Sequence, residues 1–180
     1  MPHDSLSIGD KAPEIVNMLV EVQSGSANKY EWDAQSGLLK LDRVLHGALH
    51  YPGDYGFIPE TLADDGDPLD GVVLSSYPLL PGTLVEIRVL AVLEMEDEKG
   101  EDAKILAVVD KDPRLNDYRS LGDVPQSILK EIAHFFETYK QLEPNKWAKV
   151  RGWQDAAAAH ATIQAAHRAF EVQNSNPTRG

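Results

Sequence analysis

The first two-thirds of the chain alternates as strands do, and the last third repeats as helices do. Residues 17–22 form a short apolar run. Residues 29–33 alternate, with Tyr30 and Trp32 on one face and Lys29, Glu31 and Asp33 on the other. Gly37 marks a turn into a strand over 38–44. The longest alternation spans 84–97, with Val85, Ile87, Val89, Ala91, Leu93 and Met95 on one side, and 103–110 is its expected hairpin partner. From 126 to 142 the period changes: Ile128, Ile132, Phe135, Phe136 and Tyr139 recur at helical spacing, with Asp123 and Pro125 as start signals. A second helix is expected from Asp155, as N-cap, through the alanine-rich stretch towards Phe170. Residues 172–180 are polar and read as a loose tail. Short strands followed by two helices in the C-terminal region define an α+β class, mainly β, with a small barrel as the strand arrangement. Without an internal repeat or a Gly/Ser-rich linker, one domain over 1–180 is the simplest division.

Composition narrows the partners. The chain carries 17 basic and 29 acidic residues, a formal net charge of −12. That excess argues against a nucleic-acid or membrane-surface binder, because both polyanions select basic patches. An anionic small molecule stays compatible if bridging cations or a local basic cluster receive it. There is no cysteine, so neither disulfides nor thiolate metal sites contribute. The first ten residues lack the basic-then-apolar order of a secretory signal. No apolar run approaches the roughly 20 residues of a membrane span. A soluble, cytoplasmic protein is the expectation.

The most informative segment is Asp64-Asp65-Gly66-Asp67-Pro68-Leu69-Asp70, with four carboxylates in seven residues. These repel one another, and a hard divalent cation that takes oxygen ligands gives a reason to gather them. Gly66 and Pro68 force a tight backbone that aims Asp65, Asp67 and Asp70 towards one point. Read alone, the segment also suits a solvated acidic turn. An EF-hand fails on spacing: counted from Asp65, the sixth residue is Asp70 rather than glycine and the twelfth is Ser76 rather than glutamate.

A second acidic group, Asp97-Glu98-Lys99-Gly100-Glu101-Asp102, joins two expected strands. If they pair, Asp97 and Asp102 flank the turn within roughly 5–6 Å of each other. Charged hairpin tips are commonly just solvated, but together with the first cluster this turn would be able to complete a multi-metal site. A phosphate-containing ligand would also need donors, and Lys29, Arg43, Lys104 and Lys140 are candidates, with hydroxyls from Tyr51, Tyr55 and Tyr139. Lys29 shares a strand face with Glu31. Arg43 continues an apolar face after Leu39 and Leu41, so it needs a partner or a pocket rim. Each has a plainer reading, a solvated lysine or a core tyrosine with its hydroxyl at the edge. The histidines show no metal-ligand spacing, and His160 and His167 suit a surface stripe on one helix.

These blocks resemble the family I soluble inorganic pyrophosphatases of the bacterial type. Asp65-Gly66-Asp67-Pro68-Leu69-Asp70 matches the family signature Asp-x-Asp-Pro-apolar-Asp. Around it stand Glu21, Asn28-Lys29-Tyr30-Glu31, Leu41-Asp42-Arg43 and Tyr51-Pro52-Gly53-Asp54-Tyr55-Gly56. Further on come residues 95–104 and His134-Phe135-Phe136-Glu137-Thr138-Tyr139-Lys140, so the likeness covers residues 15–153 in order. The resemblance implies a five-stranded OB-like barrel carrying helices, assembled as a homo-hexamer. It implies that Asp65, Asp70 and Asp102 hold a first Mg²⁺, with Asp70 helping a second. Asp97 and Asp102 would hold further ions that arrive with the substrate, supported by Glu21 and Glu31. Asp67 would be the general base. Lys29, Arg43, Tyr139 and Lys140 would grip the phosphates, with Tyr55 and Lys104 close by. Mn²⁺ or Zn²⁺ are possible substitutes for Mg²⁺. Three positions depart from the family pattern: Gln23 for a common proline, Asp54 for asparagine, and Gly71 for a larger apolar residue.

The expected reaction is hydrolysis of pyrophosphate, entering as a metal complex, to two orthophosphates. A non-catalytic OB-fold module would instead carry a basic groove with exposed aromatics. A metal-buffering protein would leave the lysine, arginine and tyrosine set without a purpose. A nucleotide or organic phosphohydrolase would require a base-stacking slot.

Overall fold

The alternating segment at 84–97 is the strand around which the fold is built. A computed structural model describes residues 6–175. In chain order the elements are β1 (Ile15–Val22), β2 (Asn28–Asp33), β3 (Leu38–Val44), β4 (Asp54–Phe57), β5 (Asp70–Leu74), β6 (Leu84–Asp97), β7 (Gly100–Glu101), β8 (Lys104–Val109), α1 (Gln126–Thr138), β9 (Ala148–Gln154) and α2 (Ala156–Ser175). β6 pairs antiparallel with β8 and with β1. β1 pairs with β4, β4 with β5, and β5 runs parallel to β8. Those pairings close a ring of five strands, β1-β4-β5-β8-β6, the expected OB-like barrel. Closure leaves these five strands no open edge. The far half of β6 continues past the ring to pair with β7 and β9, while β2 and β3 form a separate hairpin.

β6 serves two cores because its side-chain alternation flips. The β6–β8 register shifts between Val89 and Ala91, making Leu90 the extra residue of a bulge. Before the shift, Ile87 and Val89 pack with Met18, Ile58, Ile105 and the α2 residues Ala159 and Ile163. After it, Ala91, Leu93 and Met95 pack with Tyr51, Leu106 and the α1 residues Ile132, Phe135 and Phe136, and Val92 rejoins the first group. The single apolar side expected along 84–97 is therefore divided between two cores, because the bulge reverses the period-two pattern. Each large side chain buried in this way contributes roughly 1.5–3 kcal/mol.

Close approach of β1 and β4 depends on Gly56. A Cβ there would lie 1.9 Å from the Leu19 carbonyl oxygen and 2.8 Å from its carbon. No side chain fits between those backbones.

The helices differ from expectation at their ends. α1 stops at Thr138 rather than 142, and Leu142 is exposed. Asp123 caps the preceding turn, accepting from Arg119 and Ser120 N–H, while Pro125 occupies the N-cap of α1. Asp155 does cap α2, its Oδ1 accepting from Ala158 N–H at 3.0 Å. α2 continues to Ser175, so the stretch from 172 to 175, expected to be loose, is helical, and the remainder of that stretch lies outside the described residues. His160 and His167 are partly buried rather than a surface stripe: His160 Nε2 is enclosed, and His167 Nδ1 meets the Glu60 carbonyl at 2.7 Å. Leu41, placed with Leu39 on an apolar strand face, is 53% exposed.

Candidate active site

The acidic loop is fixed at its ends and open at its middle. Ile58 N–H donates to the Leu69 carbonyl, and Thr61 Oγ1 accepts from Leu69 N–H at 2.9 Å while donating to the Ile58 carbonyl. Leu69 is buried and Asp67 is exposed. At the tip Gly66 adopts φ +89°, a region that favours glycine, and Asp67 N–H donates to Asp65 Oδ1 at 3.0 Å. Asp70 then begins β5, whose parallel register places it beside Lys104 at the start of β8.

Lys104 is the electrostatic centre of the site. It is 3% exposed, and its Nζ donates to Asp70 Oδ2 at 2.6 Å, to Asp102 Oδ1 at 2.7 Å and to the Tyr55 hydroxyl at 3.2 Å. Tyr55 donates to the same Asp70 oxygen at 2.6 Å. Burial works against the ammonium, but Asp70 and Asp102 outweigh it and hold the Lys104 pKa well above the ordinary lysine value.

The β6–β7 turn contributes Asp97, Glu98, Lys99 and Asp102. Asp97 pairs with Gly100, and Asp102 N–H donates to the Met95 carbonyl, so the two aspartates flank the turn without being cross-strand partners. Lys140, just beyond α1, reaches Asp97 Oδ2 at 2.9 Å and Glu98 Oε2 at 3.3 Å. Burial alone would raise the Asp97 carboxyl, but Lys140 and the Lys99 amide hold it below the usual range. Tyr139 is stacked on Phe135 in the core and lines the site. Tyr51, between Tyr55 and Phe135, is a core ring.

The β2–β3 hairpin supplies the opposite wall. Lys29 and Arg43 are cross-strand partners. Lys29 contacts Glu31 and lies 3.5 Å from Asp42. Arg43 Nη1 donates to Asp42 at 2.9 Å, and its Nε lies 3.1 Å from Glu143, which answers the need of that arginine for a partner. Glu21, buried at the end of β1, accepts from Trp32 N–H at 2.7 Å, and burial pushes its carboxyl up to about 8.

The thirteen residues to which the family resemblance gives roles line one cavity of about 410 Å³: Glu21, Lys29, Glu31, Arg43, Tyr55, Asp65, Asp67, Asp70, Asp97, Asp102, Lys104, Tyr139 and Lys140; Tyr51, also a candidate hydroxyl donor, does not line it. Trp32, Asp42, Phe57, Pro68, Glu98, Lys99 and Lys146 line it too. Asp42, Glu98 and Lys99 sit within recognisable motifs and were legible by adjacency. Trp32 and Lys146 carried no such signal, and neither did Glu143, which meets Arg43 and Lys146.

Among the described residues, no three carboxylate or imidazole groups already converge as a cation cage. The donor chemistry nevertheless fits a hard divalent ion, since the carboxylates supply oxygen and no thiolate or imidazole lines the cavity. The Lys104 ammonium between Asp70 and Asp102 marks where these side chains draw positive charge.

A cavity with carboxylates for hard cations and cationic groups for phosphate oxygens, built on an OB-like barrel, defines a site suited to metal–phosphate complexes. Comparison with known proteins makes this specific. The inorganic pyrophosphatase family model matches residues 18–171. The inorganic pyrophosphatase of Thermus thermophilus is 61% identical over 163 residues, covering 89% of this chain and 93% of the relative. That of Sulfolobus acidocaldarius is 50% identical, covering 89% and 94%. The crystal structure of the Thermus thermophilus inorganic pyrophosphatase superposes with a TM-score of 0.93 at 58% identity, covering 95% of this chain and 99% of that one. The chain belongs to the inorganic pyrophosphatase family.

Proposed function

We propose that the protein, acting as one continuous domain, hydrolyses inorganic pyrophosphate to two phosphates at this cavity. The observation that carries the reading is the meeting, from six separate segments, of acidic and cationic side chains around one space. Asp65, Asp70, Asp97 and Asp102, with support from Glu21 and Glu31, would hold Mg²⁺, which when bound would neutralise substrate charge and make water more acidic. Mn²⁺ or Zn²⁺ would be able to take the place of Mg²⁺ on the same oxygen donors. Lys29, Arg43, Tyr139 and Lys140 bind phosphate oxygens and stabilise the charge that grows there. Lys104 and Tyr55 hold Asp70 in one orientation. Asp67, on the exposed part of its loop, takes a proton from the attacking water as the new P–O bond forms and the bridging P–O bond breaks. The net charge of −12 is consistent with a substrate that enters already complexed with cations.

No helix of the described residues is long and apolar enough to cross a membrane. A cytoplasmic location, a homo-hexameric assembly and the absence of nucleic-acid partners complete the proposal. The test compares pyrophosphate, ATP and a simple phosphate monoester with the parent and Asp67→Asn. The parent should strongly prefer pyrophosphate, and the variant should lose about 10²–10⁴-fold in turnover with its melting temperature unchanged. Equal hydrolysis of ATP would shift the substrate class. Near-normal turnover would remove Asp67 from the base role.

A further inference from the structure

The turn between β6 and β7 carries Asp97, Glu98, Lys99 and Asp102 into the cavity, and its outer face is held by a residue that does not line the cavity. Glu96 and Glu101 are directly opposed across the β6–β7 pair, each one residue before an aspartate of the site. Neighbouring side chains along extended backbone leave on opposite faces, so each inward aspartate is backed by an outward glutamate. Two carboxylates directly opposite destabilise a cross-strand pair.

Arg151 on β9 resolves that conflict. Its Nη1 donates to Glu101 Oε2 at 3.1 Å and its Nη2 to Glu101 Oε1 at 2.7 Å, a two-pronged contact. Nη2 also donates to Glu96 Oε2 at 2.6 Å. The strand is shaped to deliver this side chain. Gly152 pairs with Glu94 and Val150 with Met95, so Arg151 is the extra residue of a bulge with no partner on β6. Gly152 supports the bulge with φ +142°, where a side chain would be strained. Bulges of this kind re-aim side chains. On the inner side, Lys140 holds Asp97 and Glu98.

We propose that Arg151 is a positioning residue: by bridging Glu96 and Glu101 it sets the geometry of the Asp97–Asp102 turn and thereby the turn's affinity for divalent cation. This rests on the reading of Asp97 and Asp102 as cation ligands. The three side chains are 41%, 30% and 56% exposed, so the bridge is screened by salt and its loss weakens binding without abolishing it.

The test combines Mg²⁺ titration calorimetry with amide hydrogen exchange at Asp102, on the parent, Arg151→Gln, and Arg151→Gln carrying Glu96→Gln and Glu101→Gln. At low salt Arg151→Gln weakens Mg²⁺ binding about two- to five-fold and speeds Asp102 exchange by a similar factor. Neutralising both glutamates restores both readouts, and about 1 M KCl brings parent and variant together. At saturating Mg²⁺ the kcat of Arg151→Gln stays within about two-fold of the parent. Equal affinity and equal exchange in parent and variant would overturn the proposal, as would losses that the glutamate substitutions fail to reverse. If the parent itself binds no Mg²⁺, the cation reading falls, while Asp102 exchange still decides whether Arg151 holds the turn.

Discussion

Replacing Lys104 with methionine removes one charge while keeping a side chain of similar length and an apolar stem. In the parent that charge meets Asp70 and Asp102 at 2.6 and 2.7 Å. The lysine side chain is 3% exposed, and those of Asp70 and Asp102 are 28% and 14% exposed. Breaking a buried ion pair from one side costs about 3–5 kcal/mol, because the abandoned carboxylates stay desolvated. Water reaching Asp70 relieves part of this, so the expected loss in chelator is about 2–4 kcal/mol. For a chain of this size that lowers the melting temperature by roughly 5–15 °C. Divalent cation can neutralise the same two carboxylates, so saturating Mg²⁺ should return most of the loss through preferential binding to the folded state. Thermal and urea denaturation at fixed protein concentration, with chelator and with Mg²⁺, give the comparison. A variant within about 0.5 kcal/mol of the parent in chelator would refute the view of Lys104 as the counter-charge. So would an equal loss with and without Mg²⁺.

Gly56→Ala should destabilise the fold by about 3 kcal/mol or more, read as a fall in urea midpoint, because its Cβ would meet the Leu19 carbonyl oxygen at 1.9 Å. A loss below about 1 kcal/mol would mean that β1 and β4 separate more easily than their pairing implies. Glu21 gives a pH signature in metal-free protein. Its folded pKa of about 8 lies above the ordinary 4.5, so the folded state keeps a proton that the unfolded chain has released between those values. Stability from this group is therefore full below the ordinary value and falls as pH rises towards 8. Between pH 5 and 8 the parent should lose ~3 kcal/mol more than Glu21→Gln, and parallel profiles would contradict the burial of Glu21.

Strands long enough to show an apolar run or a regular alternation were legible in the sequence, including the enclosed β1, β6 and β8, while the shortest and the bulged strands were not. β2 and β3 were expected at nearly their observed bounds, because lysine, glutamate and aspartate alternate with apolar residues there. β4 has four residues, all buried, including the glycine that lets it approach β1, so it shows neither alternation nor length. β5 begins on the last carboxylate of the acidic loop, and its parallel partner β8 lies more than thirty residues away. The bulge at Arg151 broke the pattern of β9 in the same way that the bulge at Leu90 misassigned the far half of β6. The acidic loop and the basic residues were visible as compositions that need a reason. Their convergence was not visible, since it depends on a parallel β5–β8 register and on α1 delivering Lys140 to Asp97. Family resemblance supplied that assignment, and the geometry of the cavity is consistent with it.

The most direct measurement is phosphate release from pyrophosphate by the purified protein, first with Mg²⁺ and then with excess chelator. Release should be rapid with Mg²⁺, abolished by chelator and restored by added Mg²⁺. A folded sample that releases no phosphate with Mg²⁺, Mn²⁺ or Zn²⁺, or one whose release is indifferent to chelator, would contradict the proposed function.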